Sequence, residues 1–289
     1  MAKAREIGRR MQSVQSTRKI TRTMEMVATS KLRKAQQRIV HARPYAERLA
    51  AVVENLITPE LAELDPLLRQ PERIRRAAVV LITSNRGLCG AFNVNLIRKA
   101  RELIDYLSAS DVAADLHVVG KKGIAYFGFR DVELGTARID IGDDPTPVQA
   151  HDLIAPLADA FVNETIDAIY IVHAEFRSVM STPPTVRRLL PVEVPEDRPG
   201  REPNYILDPS ADEILERILP LYIDNVTYRA LVENAAAEQG SRRTAMKAAT
   251  DNADDLLTNL RRQFNRARQA EITSQIAEII GGAEALAGK

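Results

Sequence analysis

Residues 28–56 read ATSKLRKAQQRIVHARPYAERLAAVVENL, and their spacing decides the fold. Ala28, Leu32, Ala35, Ile39, Ala42, Ala46, Leu49, Val53 and Leu56 recur at strict four-three intervals, the pattern of a coiled-coil seam. Many of these residues are alanine. Alanine lets a partner helix approach closely but contributes less apolar area than leucine, so length must compensate. Carried toward the N-terminus, the same register meets Ile7, Met11 and Val14 and then Arg18, Thr21 and Glu25, whereas Ile20, Met24 and Val27 occupy a neighbouring stripe. The expectation is a seam that shifts at that level.

The partner helix is found at the other end of the chain. Of 15 prolines, 13 lie between Pro59 and Pro209, so two proline-poor arms flank a proline-rich centre. The second arm opens with Asp208 as N-cap and Pro209 as first helical residue, and Gly281 and Gly282 mark its end. Pro220 is a candidate kink and Gly240 a weak point. A helix of that span is about 100 Å long at 1.5 Å per residue, and such a rod must pair with another. Residues 1–57 and 208–286 are therefore expected to form an antiparallel coiled coil of the N- and C-terminal helices.

Between the arms, AAVVLIT (77–83) reads as a buried strand, SNRGLCG as a turn and FNVNLIRKARELIDYL (92–107) as an amphipathic helix. ADLHVVG (114–120) before KKGIAYFG, and the apolar 148–162 region before AIYIVHA (168–174), repeat the alternation and imply a mostly parallel sheet. The expected fold class is α/β with long helices, the arms enclosing a central Rossmann-like α/β domain over 75–190. PVEVPEDRPGREP (191–203) reads as an exposed, extended loop.

Composition narrows the function. Cys89 is the one cysteine among 289 residues, so there is no internal disulfide or intramolecular thiol switch, and a reducing compartment is expected. No apolar run approaches the 18 or so residues of a membrane span. The net charge of +1 hides an asymmetry: residues 1–50 hold 13 basic and 3 acidic side chains. That start has the composition of a mitochondrial transit peptide, but its basic character runs on to Arg48 without a serine-rich cleavable region, which favours a basic helical arm. Arg9, Arg10, Arg18, Lys19, Arg22, Lys31, Arg33 and Lys34 suit nucleic acid or an acidic protein groove. Interleaved Glu25, Met24, Met26 and Val27 favour the protein partner over nucleic acid.

Sites of chemistry are harder to find. The SNRGLCGAFN turn invites a nucleotide, yet Gly87 and Gly90 complete neither a P-loop nor a dinucleotide fingerprint. His41, His117, His151 and His173 share no metal-ligand spacing, and Asp143 with Asp144 reads as a turn before a helix. No catalytic, cofactor-binding or metal residues are assigned. A nucleotide-dependent enzyme with a helical dimerisation hairpin remains the alternative, lacking its fingerprint; a basic coiled-coil nucleic-acid binder is a third class.

Several motifs resemble one family. SVQSTRKITRTMEMVATSKLRKAQ (13–36) and RPYAE (43–47) resemble the first helix of the gamma subunits of F-type ATP synthases, and NRGLCGAFN (85–93) resembles their central-domain signature. MKAATDNA (246–253) and RARQAEITSQIAEIIGGA (266–283) resemble their terminal helix. Gln275 stands where that pattern usually has glutamate, and Asn85 where it usually has aspartate.

The resemblance implies a non-catalytic rotor shaft without cofactor. Its hairpin would run through a ring of three alpha and three beta subunits, with the α/β domain near the epsilon subunit and the membrane c-ring, and catalysis would belong to beta. The expected place is the cytoplasmic side of a bacterial cell membrane, held peripherally. Arg268, Gln269 and Thr273 match residues that contact the mobile part of beta, with Met24 at the corresponding level of the first helix. Tyr205 falls where the family approaches the c-ring and epsilon. The regulatory cysteine pair of chloroplast members is excluded.

Overall fold

A computed structural model describes residues 2–57, 65–192 and 210–287. Helix α1 spans Ala2–Leu56 and α5 spans Ala211–Ala287. Between them lie β1 (Arg76–Ile82), α2 (Phe92–Ala109), β2 (Ala113–Val119), α3 (Lys121–Gly128), β3 (Thr136–Arg138), α4 (Pro147–Val162), β4 (Ala168–Ala174) and β5 (Pro184–Leu190). The strands form one sheet in the order β3-β2-β1-β4-β5, parallel except for β5. This is the Rossmann-like arrangement expected, with two strands that the sequence reading did not contain. β3 is three residues long, and β5 (PTVRRLL) breaks its apolar pattern with Arg187 and Arg188. Neither offers enough alternation to be found by period.

Packing groups the chain into two compact units, Ala28–Arg242 and Met1–Val27 with Arg243–Lys289. In the first unit β1 is buried on both faces, as its unbroken apolar run requires. Ala78, Val80 and Ile82 face a core shared with Ile154, Leu157 and Phe161 of α4, with Val53 and Leu56 of α1, and with Leu215, Leu219 and Ile223 of α5. Ala77, Val79 and Leu81 face Phe92, Leu96, Ile97 and Ala100 of α2. The seam of α1 is buried or half-buried at all nine positions from Ala28 to Leu56. Leu32 and Ala35 pack on Ala236 of α5.

From Leu231 to Gly240, α5 is buried on every side. The sequence there, LVENAAAEQG, is rich in small side chains that admit close neighbours all round, and most of its polar atoms are matched by partners. Asn234 Oδ1 accepts the amide of Ala174 at 3.0 Å, Glu233 meets Arg229 at 2.7 Å, Glu238 meets Arg242 at 2.5 Å, and Gln239 donates to Asp143 at 2.7 Å. Burial acts to raise the Glu233 pKa, but hydrogen bonds from His173 and Arg229 prevail and hold it below the ordinary carboxylate value. For Glu238 burial prevails over the pull of Arg242, and the carboxyl is pushed up.

The second unit pairs the N-terminal part of α1 with the C-terminal part of α5. Gly8 lies beside Phe264, Arg18 Nη1 pairs with Asp254 at 2.6 Å, and the hydroxyls of Thr21 and Thr250 meet at 2.8 Å, an antiparallel register. The expected shift of the seam is not found. Thr21 is buried and Arg18 and Glu25 are half-buried, so the original register runs straight through them. Of the neighbouring stripe, Ile20 and Val27 stay outside at 60% and 50% exposure and Met24 is half-buried. Arg18 and Thr21 occupy the seam with partners across it, Asp254 and Thr250. The second correction concerns the end of α5, which continues through Gly281 and Gly282 to Ala287. Glycine removes side-chain support from a helix without forbidding it. Asp208 and Pro209 lie outside the described residues.

Two stability measurements test these packings. Thr21→Val or Thr250→Val alone removes the contact between the hydroxyls but leaves the surviving one its bond to Arg18 O or Met246 O, so each should cost about 0.5–1.5 kcal/mol, while the double variant should cost less than the sum. Thermal unfolding of the four chains checks this, and additive losses would show that the hydroxyls do not interact. Ala236→Leu should lower stability by about 1–3 kcal/mol by overpacking a residue with no exposed surface.

Candidate functional site

A nucleotide-binding α/β domain would receive phosphate at the carboxyl ends of its strands, on free helix amides. Here those amides are taken. Thr83, just after β1, donates its hydroxyl to Val119 O at 2.8 Å and accepts the amide of Gly123 at 3.0 Å. The amide of Lys121 donates to Asn85 Oδ1 at 3.0 Å and that of Lys122 to Ser84 O at 3.1 Å. A phosphate at the start of α3 would have to displace all three acceptors. Gly120 at φ +99° makes the turn possible, since a Cβ there would stand 2.2 Å from Thr83 O. Asn85 donates its amide to Ile139 O at 3.0 Å and Ile141 O at 2.9 Å. Aspartate has no hydrogen to give at that position, so the departure from the family pattern has a local role.

The remainder of the RGLCG turn is bound to the long helix. Arg242 Nη2 donates to Arg86 O and Gly87 O, both at 3.3 Å, while paired with Glu238. Cys89 is buried, and burial pushes its thiol pKa up, which disfavours the thiolate. Asp143 and Asp144 do more than turn the chain. Asp143 receives Lys31 of α1 at 2.5 Å as well as Gln239, and Asp144 receives Arg38 at 2.6 Å. One loop of the α/β domain therefore holds both long helices by charge-assisted bonds. The sequence carried a sign of this, since Lys31 and Arg38 lie seven residues apart on one helix face, but nothing in it located their acceptors.

The four histidines sit in separate surroundings. His117 meets Thr136 at 3.0 Å, His151 meets Asp224 at 2.9 Å, His173 lies 3.6 Å from Glu233, and His41 is exposed. Among the described residues, no three His, Cys, Asp or Glu side chains are grouped to hold a metal.

The matched contact residues lie on the helix pair of the second unit. Arg268, Gln269 and Thr273 are exposed on α5, and the Thr273 hydroxyl donates back to Gln269 O at 3.0 Å. Met24 is half-buried on α1. The antiparallel register sets Met24 beside residues near 247, about 30 Å along the axis from Arg268 at 1.5 Å per residue. The two helices thus offer contacts at two levels rather than one, because residues of an antiparallel pair meet only when their numbers rise and fall together. Tyr205 lies outside the described residues.

The surface around these residues is basic and apolar. Of the eight basic residues singled out on α1, Arg18 and Lys31 pair with Asp254 and Asp143; the other six are exposed. Toward the end of α5, Ile272, Ile276, Ile279 and Ile280 are exposed on a segment whose register passes beyond Ala2 of α1. No helix among the described residues is long and apolar enough to cross a membrane.

Comparison with known proteins places this architecture. A family model described as ATP synthase matches residues 3–286. An ATP synthase gamma chain of Gemmatimonas aurantiaca is 51% identical over the full length of both chains, and one of Frankia casuarinae is 43% identical over 98% of this chain and 97% of its own. Among solved structures, a chain of the Euglena gracilis mitochondrial ATP synthase (OSCP/F1/c-ring) aligns with a TM-score of 0.68 at 18% identity, covering 99% of this chain and 95% of its own. A chain of the Tetrahymena thermophila mitochondrial ATP synthase central stalk and c-ring aligns at 0.60 and 22%, covering 80% and 99%. The chain belongs to the ATP synthase gamma-chain family, the central-stalk rotor that couples ion flow through the membrane c-ring to ATP synthesis and hydrolysis.

Proposed function

We propose that the chain does its rotor work without catalytic chemistry of its own, as a shaft whose angular position sets nucleotide affinity in three surrounding beta subunits. The observation that carries this reading is that one helix is enclosed over one stretch and exposed over another. The segment 231–240 is enclosed by the α/β domain, and farther along the same helix Arg268, Gln269 and Thr273 stand exposed. Torque entering through the enclosed segment has a continuous helix along which to travel. A two-helix rod has no threefold symmetry, so three identical partners around it meet different faces. Each face then stabilises a different partner state, which is a coupling free energy between angle and affinity.

The contacts must also break at every step. Exposed ion pairs contribute about 0–1 kcal/mol and exchange readily, which suits the six exposed basic side chains of α1 and Arg268 of α5. Three alpha subunits complete the ring, and the exposed isoleucines near the end of α5 turn within it. The region 75–190, with Tyr205, meets the epsilon subunit and the c-ring, so residues 1–57 and 208–286 serve the catalytic head and the middle of the chain serves the membrane side. The chain is held peripherally at the cytoplasmic face of a bacterial membrane. An enzyme built on the α/β domain is disfavoured by the occupied amides of α3.

Titration calorimetry of the isolated chain with ATP and with NAD should show no stoichiometric micromolar binding; such binding at the α/β domain would revive the enzyme reading. Arg268→Glu should leave the melting temperature of the free chain within the roughly 0.5 kcal/mol expected for a solvated residue. The same variant, reconstituted with alpha and beta, should lower complex yield and ATP turnover, with the loss eased at high salt. Unchanged yield and turnover at both salts would remove Arg268 from the contact surface. A lowered melting temperature would instead assign it to packing.

A further inference from the structure

At the carboxyl ends of β1 and β2, against α5, lies a cavity of about 320 Å³ that the rotor reading does not use. Its volume sits at the small end of ligand pockets, the size of a small organic molecule. Aliphatic side chains form much of its wall, among them Ile82, Ile141 and Leu231. The polar wall is unbalanced. Asp143 and Glu238 face the cavity but are already engaged, Asp143 by Lys31 and Gln239 and Glu238 by Arg242. Arg86 and Lys121 line the same cavity with exposed heads, and neither head has a hydrogen bond or ion pair among the described residues.

A third donor points to a ligand independently. Asn234 lines the cavity with 3% of its surface exposed. Its Oδ1 accepts the backbone amide of Ala174, which fixes the orientation because only the oxygen can accept. The NH₂ group has no protein acceptor among the described residues and is not sealed away from the cavity that Asn234 lines, so it stands as a donor open to a ligand there. We propose that this cavity binds a small organic anion, a carboxylate or phosphate monoester of three to five carbons. Its charged head meets Arg86 and Lys121, and a polar oxygen of its body takes the Asn234 amide. Such a ligand ties the loop after β1 to α5 beside the bonds that Arg242 makes to the same loop.

The site is independent of the rotor reading and is tested on the full chain alone. Methyl resonances of Ile82, Ile141 and Leu231 are followed by NMR during titration with glycerol 3-phosphate, succinate, inorganic phosphate and neutral glycerol. At least one of the two organic anions should shift these methyls with a Kd below ~1 mM, a free energy of about −4 kcal/mol or better. Saturation by the phosphate alone or the carboxylate alone identifies the head group. Arg86→Gln with Lys121→Gln, both at exposed positions, should weaken that binding at least tenfold. Asn234→Asp, which keeps the acceptor for Ala174, should weaken it as well. No shift with either organic anion at ~10 mM, an equal response to glycerol, a response to inorganic phosphate alone, or binding unaltered in the double variant would overturn the proposal.

Discussion

Everything else in the chain depends on one constraint: the ten residues from Leu231 to Gly240 form a helix with no exposed side. A helix packed against a core on one stripe tolerates large side chains there and any polar ones opposite. A helix enclosed all round tolerates neither. Its side chains must be small where neighbours are close, and each polar group must be matched, since an unmatched one costs about 1–3 kcal/mol. Ala235, Ala236 and Ala237 meet the first demand, and Glu233, Glu238 and Gln239 meet the second through Arg229, Arg242 and Asp143.

The same constraint explains where the α/β domain carries its charges. Asp143 and Asp144 lie on one short segment before α4, yet they reach Lys31 and Arg38 on α1 and Gln239 on α5. The turn after β1 is held by Arg242 through two carbonyl oxygens. Loops that would be free to cradle a phosphate in a nucleotide enzyme are here spent on holding helices. That difference of use, on a shared sheet topology, is how a Rossmann-like domain comes to grip a shaft.

Along the helix pair of the second unit the balance differs. Thr21, Arg18 and Glu25 lie in the seam where leucine would bury more area, while Ile20, Met26 and Val27 face outward. Seam polarity of this kind lowers pair stability but sets register, because Thr21 with Thr250 and Arg18 with Asp254 match only in one alignment. Apolar residues turned outward leave a surface of the kind that protein partners contact.

The four-three seam from Ala28 to Leu56 determined the first long helix, the proline-poor second arm determined the other, and the apolar runs at 77–83, 114–120 and 168–174 determined three strands, because each is a local pattern read from near neighbours. Motifs in order determined the family. Tertiary structure alone decided the antiparallel edge strand β5, the passage of the seam straight through Arg18, Thr21 and Glu25, and the continuation of α5 past Gly281. It alone revealed that Met24 and Arg268 stand at different levels, that Asp143 binds Lys31, and that the amides of α3 are occupied. The reason is the same in each case. A side chain's period is written in its near neighbours, whereas its partner is set by residues a hundred or two hundred positions away, and only the folded chain brings those together.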